Sequence, residues 1–268
     1  MLLASFLCYV VAFSLHLVSF FGVKEGLNRP AFSLMRVGFL TATFYFAAEG
    51  MEAGFFFPVL NFSQALAFFA WSLAFVYLVL LVRIQTDSFG MVLTPILVIL
   101  SGLALAGKFI SSGPAELPEI YHNPYFTVHI LGAFFAYASF TLSFAAGILY
   151  LIQNHELKSR HAGRFYQKLP ALEELEKLIY QPLFWGVPLL AAAVVIGFIW
   201  SKISFGKYWI EPKTVLTLLV IGFYLVIMAR HIFFNLHGKR GAVWSVFAFA
   251  LMLVNFVGLR LVVGSHQY

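Results

Sequence analysis

Eight apolar stretches, each long enough to cross a lipid bilayer, constrain this chain more than any single motif. They fall at about 2–22, 33–50, 62–82, 91–110, 127–152, 183–203, 213–233 and 242–263. A bilayer core about 30 Å thick requires roughly 20 apolar residues in a helix, since backbone polar groups in lipid must bond internally. The composition agrees: 62% of residues are hydrophobic and 10% charged, where a soluble domain carries about 25% charged residues. The expected fold is all-α, a polytopic integral membrane protein with about eight transmembrane helices in a single transmembrane domain covering residues 1–268. The fifth stretch exceeds the requirement and is expected to tilt or run past the hydrocarbon core. The start, Met1-Leu-Leu-Ala-Ser5, has no basic segment and reads as a retained first span, not a cleaved signal.

Charge sets the expected orientation. Lys24, Arg29, Arg83, Lys158, Arg160, Arg164, Lys168, Lys177, Lys239 and Arg240 fall after spans one, three, five and seven, with Arg36 and Arg230 at span ends on that side. The opposite loops hold Lys108, Lys202, Lys207 and Lys213. The positive-inside rule then places both termini outside and the richer set in the cytoplasm, in a multi-pass protein of the cytoplasmic membrane. Basic residues scattered among short loops do not form a nucleic-acid-binding stripe. The longest inner loop, 153–182, contains Leu169-Pro-Ala-Leu-Glu-Glu-Leu-Glu-Lys-Leu-Ile179. That segment predicts a short helix with Pro170 in its first turn, lying on the membrane surface on Leu172, Leu175, Leu178 and Ile179. The outer loop 111–126 is proline-rich and expected to be irregular.

Several chemistries are excluded. Cys8 is the single cysteine, so there is no Cys-x-x-Cys-His haem attachment site and no dithiol redox motif. No glycine-rich phosphate loop, Ser-His-Asp order or zinc-ligand spacing is present. The eight histidines sort by depth. His129 opens span five and His266 follows span eight, both on the outer side. His16 lies in the inner half of span one and His231 at the inner end of span seven. His122, His155, His161 and His237 are expected to be solvated loop residues. Haem iron takes one or two neutral imidazoles held at its own level by separate elements, so matched depths matter. Between spans six and seven runs Phe205-Gly-Lys-Tyr-Trp-Ile-Glu-Pro-Lys213. There Tyr208 and Trp209 suit a porphyrin face, and Lys207, Lys213 or Lys202 suit its propionates. The same residues also suit an interfacial aromatic belt with snorkelling lysines. Glu49 and Glu52 close span two, either as a solvated helix end or as carboxylates on a cation path.

Taken together, these stretches resemble the cytochrome c assembly family of CcsA/ResC/HemX type, related to CcmC. Asn61-Phe-Ser-Gln-Ala-Leu-Ala-Phe-Phe-Ala-Trp71 is similar to the family's third span. His129-Ile-Leu-Gly-Ala-Phe-Phe-Ala-Tyr-Ala-Ser-Phe140 and Gly147-Ile-Leu-Tyr-Leu-Ile-Gln-Asn-His-Glu-Leu-Lys158 follow its pattern. So do Leu169-Pro-Ala-Leu-Glu-Glu-Leu-Glu176, Gly238-Lys-Arg-Gly-Ala242 and Gly264-Ser-His-Gln-Tyr268, and the likeness is strongest over 127–268. The resemblance implies a tryptophan-rich haem motif in the loop between spans six and seven, flanked by two outer haem-ligating histidines, His129 and His266. It implies inner haem ligands, with His231 a better match than His16. Gly206, Lys207, Tyr208, Trp209, Pro212 and Lys213 stand in the motif, but Ile210 and Glu211 replace a longer segment containing Trp and Asp. The implied function is a haem-handling subunit that passes or presents haem b for attachment to apocytochrome c. Its partner would be a membrane protein of CcsB/ResB type. The alternative is a HemX-like non-catalytic regulator or scaffold linked to haem metabolism. At most the chain would be one component of a haem lyase, since it carries no self-contained catalytic motif.

Overall fold

A computed structural model describes residues 1–22, 26–54, 57, 59, 61–81, 87–110, 122–159, 168–208, 212–234 and 236–258. Eight helices occur among them in chain order. They are α1 (Leu2–Phe20), α2 (Asn28–Ala53), α3 (Phe62–Leu81), α4 (Asp87–Ile110), α5 (Pro124–Ser159), α6 (Leu172–Phe205), α7 (Pro212–Phe234) and α8 (Gly238–Leu253). A π-helical turn, Val254–Gly258, continues α8. All eight helices are long and apolar enough to cross a membrane, and no strand occurs among the described residues. The protein is an all-α, multi-pass membrane protein, as the spacing of its apolar stretches requires.

The chain divides into two compact units: Met1–Ile130 with Gly163–Pro170, and Leu131–Ala162 with Ala171–Tyr268. In the first, α1 packs against α2 and α4, and α3 closes the group against α4 and α2. Lipid supplies no hydrophobic drive between helices, so close packing and interhelical hydrogen bonds hold such groups together. The Ser5 hydroxyl donates to the Gly38 carbonyl at 2.9 Å, and the Trp71 indole donates to Thr43 Oγ1 at 2.9 Å. Lys168 Nζ donates to the carbonyls of Ser19 and Phe20, both at 2.9 Å, satisfying the exposed end of α1 with a cation where the helix dipole favours one.

In the second unit, Phe140 of α5 stacks on Tyr224 of α7, with ring centroids 4.0 Å apart. Ser143 of α5 bonds both the Ile179 carbonyl and Ser245 Oγ, each at 2.7 Å, tying α5 to α6 and α8. The helix expected on the membrane surface is not separate. Leu172 begins α6, with Ala171 as its N-cap, and the helix runs without interruption through Pro182 and Pro188 to Phe205. Leu175, Leu178 and Ile179 are fully buried, so the apolar face that was expected to rest on lipid packs inside the protein. Pro170 precedes the helix and does not sit in its first turn. At 34 residues, α6 is about 51 Å long, and the 36 residues of α5 span about 54 Å, both far beyond the hydrocarbon thickness.

Candidate functional site

At the expected outer end, α6 closes on Gly206, which adopts a left-handed φ of 71° and donates its N–H to the Lys202 carbonyl. This turn sends Lys207 and Tyr208 out of the helix, and both are exposed. The Ser201 hydroxyl holds the turn by donating to the Lys207 carbonyl at 3.0 Å. Lys202 Nζ bonds the Gly206 carbonyl at 3.0 Å and lies 5.4 Å above the Tyr208 ring, a cation–π distance. Val195, Phe198, Ile199, Lys202, Ile203 and Tyr208 line an open groove of about 430 Å³ along α6. Its wall is apolar, with one ammonium group and one phenol at its rim. Lys213 is exposed at the start of α7. His129 lies in the second turn of α5 and is half-buried. Trp209, Ile210, Glu211 and His266 lie outside the described residues.

His16 sits in an aromatic box inside the first unit and is only 1% exposed. Its Nδ1 lies 3.3 Å from Asn28 Oδ1 of α2. Phe32 of α2 meets the imidazole edge-on at 5.0 Å. Phe32 also meets Tyr77 of α3, which in turn meets Phe89 of α4, each pair at 6.4 Å. Gly90 of α4 closes the remaining side. A Cβ built there would fall 2.5 Å from the imidazole, so only glycine allows this approach. Residues of α2 and α4 thus hold the ring of a histidine on α1, and Tyr77 of α3 backs Phe32.

His231 belongs to the second unit, so the structure sets the two inner histidines in different units. The His231 ring stacks on Tyr180 of α6 at 3.5 Å, 13° from parallel. Its Nδ1 lies 3.3 Å from the Leu236 carbonyl, which also accepts a short hydrogen bond from the Tyr180 hydroxyl. His237, expected to be solvated, meets His231 edge-on at 4.8 Å. Its Nδ1 lies 2.6 Å from Glu176 Oε1, and the Gly238 N–H donates to the same oxygen at 3.2 Å. Sequence reading missed Glu176, Tyr180 and His237. Glu176 stands 61 positions from its histidine partner, and the local signal was only two histidines either side of a short turn. Glu49 is no free carboxylate: Lys108 Nζ pairs with it at 3.0 Å, and Gln64 Nε2 donates to it at 3.4 Å. Glu52 is exposed at the end of α2.

These positions define a multi-pass membrane protein with an aromatic, lysine-bearing turn at one end and histidines held at several depths. The family described as Cytochrome C assembly protein matches residues 59–266, and the chain belongs to that family. It is similar to Protein HemX of Brevibacillus brevis, at 28% identity over 93% of this chain and 91% of that protein. Protein HemX of Bacillus subtilis is 26% identical over 92% of this chain and 90% of its own length. Cytochrome c biogenesis protein CcsA of Guillardia theta is 24% identical over 85% and 82%. Family membership supports a role in cytochrome c biogenesis and, with it, the handling of haem and contact with apocytochrome.

Proposed function

We propose that this chain is a haem-handling subunit of cytochrome c biogenesis in the cytoplasmic membrane, presenting haem b at the outer face for attachment to apocytochrome c. His129 and His266 would hold the iron through their imidazoles. Trp209 and Tyr208 cover the porphyrin, and Lys202, Lys207 and Lys213 meet the propionates. The observation that carries this reading is the groove beside Tyr208. An apolar wall with an exposed ammonium group at its rim matches a flat apolar macrocycle that ends in two carboxylates. The chain's part is to position haem by its ligands and exclude water with aromatic cover. The thiols for thioether formation belong to apocytochrome, since Cys8 lies within α1. A CcsB/ResB-type membrane protein completes the assembly. To receive haem from the inner side, His16 would first have to leave Asn28 and Gly90, and His231 would have to part from Tyr180.

The test is an absorption spectrum of detergent-purified protein. A Soret band that disappears in the His129→Ala, His266→Ala double variant, together with loss of c-type cytochromes in cells carrying it, is the expected outcome. An unchanged band and unchanged cytochromes reject the reading.

A second reading is a HemX-like regulator or scaffold linked to haem metabolism. It is favoured by the two HemX relatives, at 28% and 26% identity, which exceed the CcsA proteins of Guillardia theta and Mesostigma viride at 24% and 25%. The replacement of the motif's second tryptophan segment by Ile210-Glu211 favours it too. Deleting the gene distinguishes the two: the regulator predicts altered levels of haem precursors with c-type cytochromes intact.

A further inference from the structure

We infer that Glu176, His231 and His237 form a binding site for a divalent transition-metal ion of the Zn²⁺, Co²⁺ or Fe²⁺ kind. Each offers one ligand atom, and these atoms all lie within 4.8 Å of one another. Three separate elements supply them: the first turns of α6, the last turn of α7 and the residue preceding α8. The whole cluster lies within the second unit.

The arrangement is organised before any ion arrives. Tyr180 fixes the plane of the His231 ring by stacking at 3.5 Å. The Leu236 carbonyl lies 3.3 Å from His231 Nδ1, and since a carbonyl can only accept, this contact favours the tautomer with Nδ1–H and a lone pair on Nε2. Metal-binding histidines are oriented by this kind of backbone or carboxylate acceptor on the second ring nitrogen. The Leu236 carbonyl is held in turn by the Tyr180 hydroxyl. His237 Nδ1 and Glu176 are joined at 2.6 Å by a hydrogen bond, which already brings the two groups together and which an ion between them would replace. Two imidazoles and a carboxylate match borderline cations, which take nitrogen and oxygen donors together, whereas Ca²⁺ and Mg²⁺ favour oxygen alone. Three protein ligands leave a coordination position open. Water reaches it, since the His237 and Glu176 side chains are 50% and 23% exposed.

Haem ligation and simple helix capping both fit the geometry less well. Haem held between the two imidazoles requires a macrocycle separating them, but the rings touch edge to face at 4.8 Å. Helix capping accounts for the bond from Gly238 N–H to Glu176, yet a cap needs neither His231 nor its locked ring. The ion would tie the α7–α8 turn to α6, at the opposite end of α6 from the Tyr208 groove. The metal site is therefore separate from the Tyr208 groove, and it shares His231 with the proposed inner haem route.

Full-length protein without a histidine tag, purified in detergent and stripped of metal, is titrated with Co²⁺. The expected result is one Co²⁺ per chain, with visible d–d absorption of a low-coordinate site. Glu176→Gln and His237→Ala should each weaken binding by about tenfold or more. His237 is exposed, so its variant should keep native helicity and elution. His129→Ala should bind Co²⁺ as the parent does, and His237→Ala should leave any Soret band unchanged. Absence of stoichiometric Co²⁺ binding overturns the assignment. So does parental affinity in both Glu176→Gln and His237→Ala.

Discussion

Single atoms decide how closely His16 can approach α4. The His16 ring rests directly on the backbone of Gly90, where a Cβ would lie 2.5 Å away. Gly90→Ala should therefore destabilise the first unit by about 1–3 kcal/mol through overpacking, read as a lower thermal midpoint in detergent. Removing the ring from the other side tests the cause. In His16→Ala, Gly90→Ala should cost much less, and an equally large cost there would show that the strain lies elsewhere. In the second unit, Gly241 plays a matching part, its backbone facing the Tyr180 hydroxyl with no room for a side chain. The ring that orients His231 is thus itself held by a glycine on α8.

Among the helices, α6 departs most from expectation. Its amphipathic start has the composition of a surface helix, with Glu173 and Lys177 paired at 2.8 Å on the exposed side. Leu175, Leu178 and Ile179 on its apolar face are nonetheless fully buried. A surface helix would tolerate Leu175→Ala with little change. A buried one should lose on the order of 2 kcal/mol, at the lower end of the cost of core Leu→Ala changes, measured by thermal or denaturant unfolding in detergent. Proline does not end α6 at Pro182 or Pro188. Each proline forgoes one backbone bond, and in a packed membrane helix neighbouring side chains and local adjustment compensate for it. Helix length also carries meaning here. Because α5 and α6 far exceed the bilayer, their ends can hold polar clusters such as Glu176 with His237 without placing them in lipid.

At the scale of the whole molecule, the charge bias predicts sidedness. By the positive-inside rule, basic residues after spans one, three, five and seven lead to the expectation that the Lys177 and His237 end faces the cytoplasm and the Tyr208 turn faces outward. In a Cys8→Ser background, Tyr208→Cys should react with a membrane-impermeant thiol reagent in intact cells. Lys177→Cys should react only after permeabilisation. The reverse pattern would invert the topology and move haem presentation to the other face.

The class of this protein was open to reading in the chain itself, and the reason is solvent. In lipid, backbone hydrogen bonds must close within each segment, so a run of about 20 apolar residues is nearly sufficient to specify a helix. All eight spans follow from that rule alone. The exposed turn after α6 was legible for a related reason: Lys207 and Tyr208 are adjacent in sequence, and one glycine C-cap sets where they emerge. What tertiary structure decided was which distant groups meet. Periodicity records that Leu175, Leu178 and Ile179 share a face, but not whether lipid or protein covers it. Depth grouped His16 with His231, because depth is all that a linear topology encodes. Lateral packing sets His16 against Asn28 and Gly90 within the first unit, and His231 against Tyr180, His237 and Glu176 within the second.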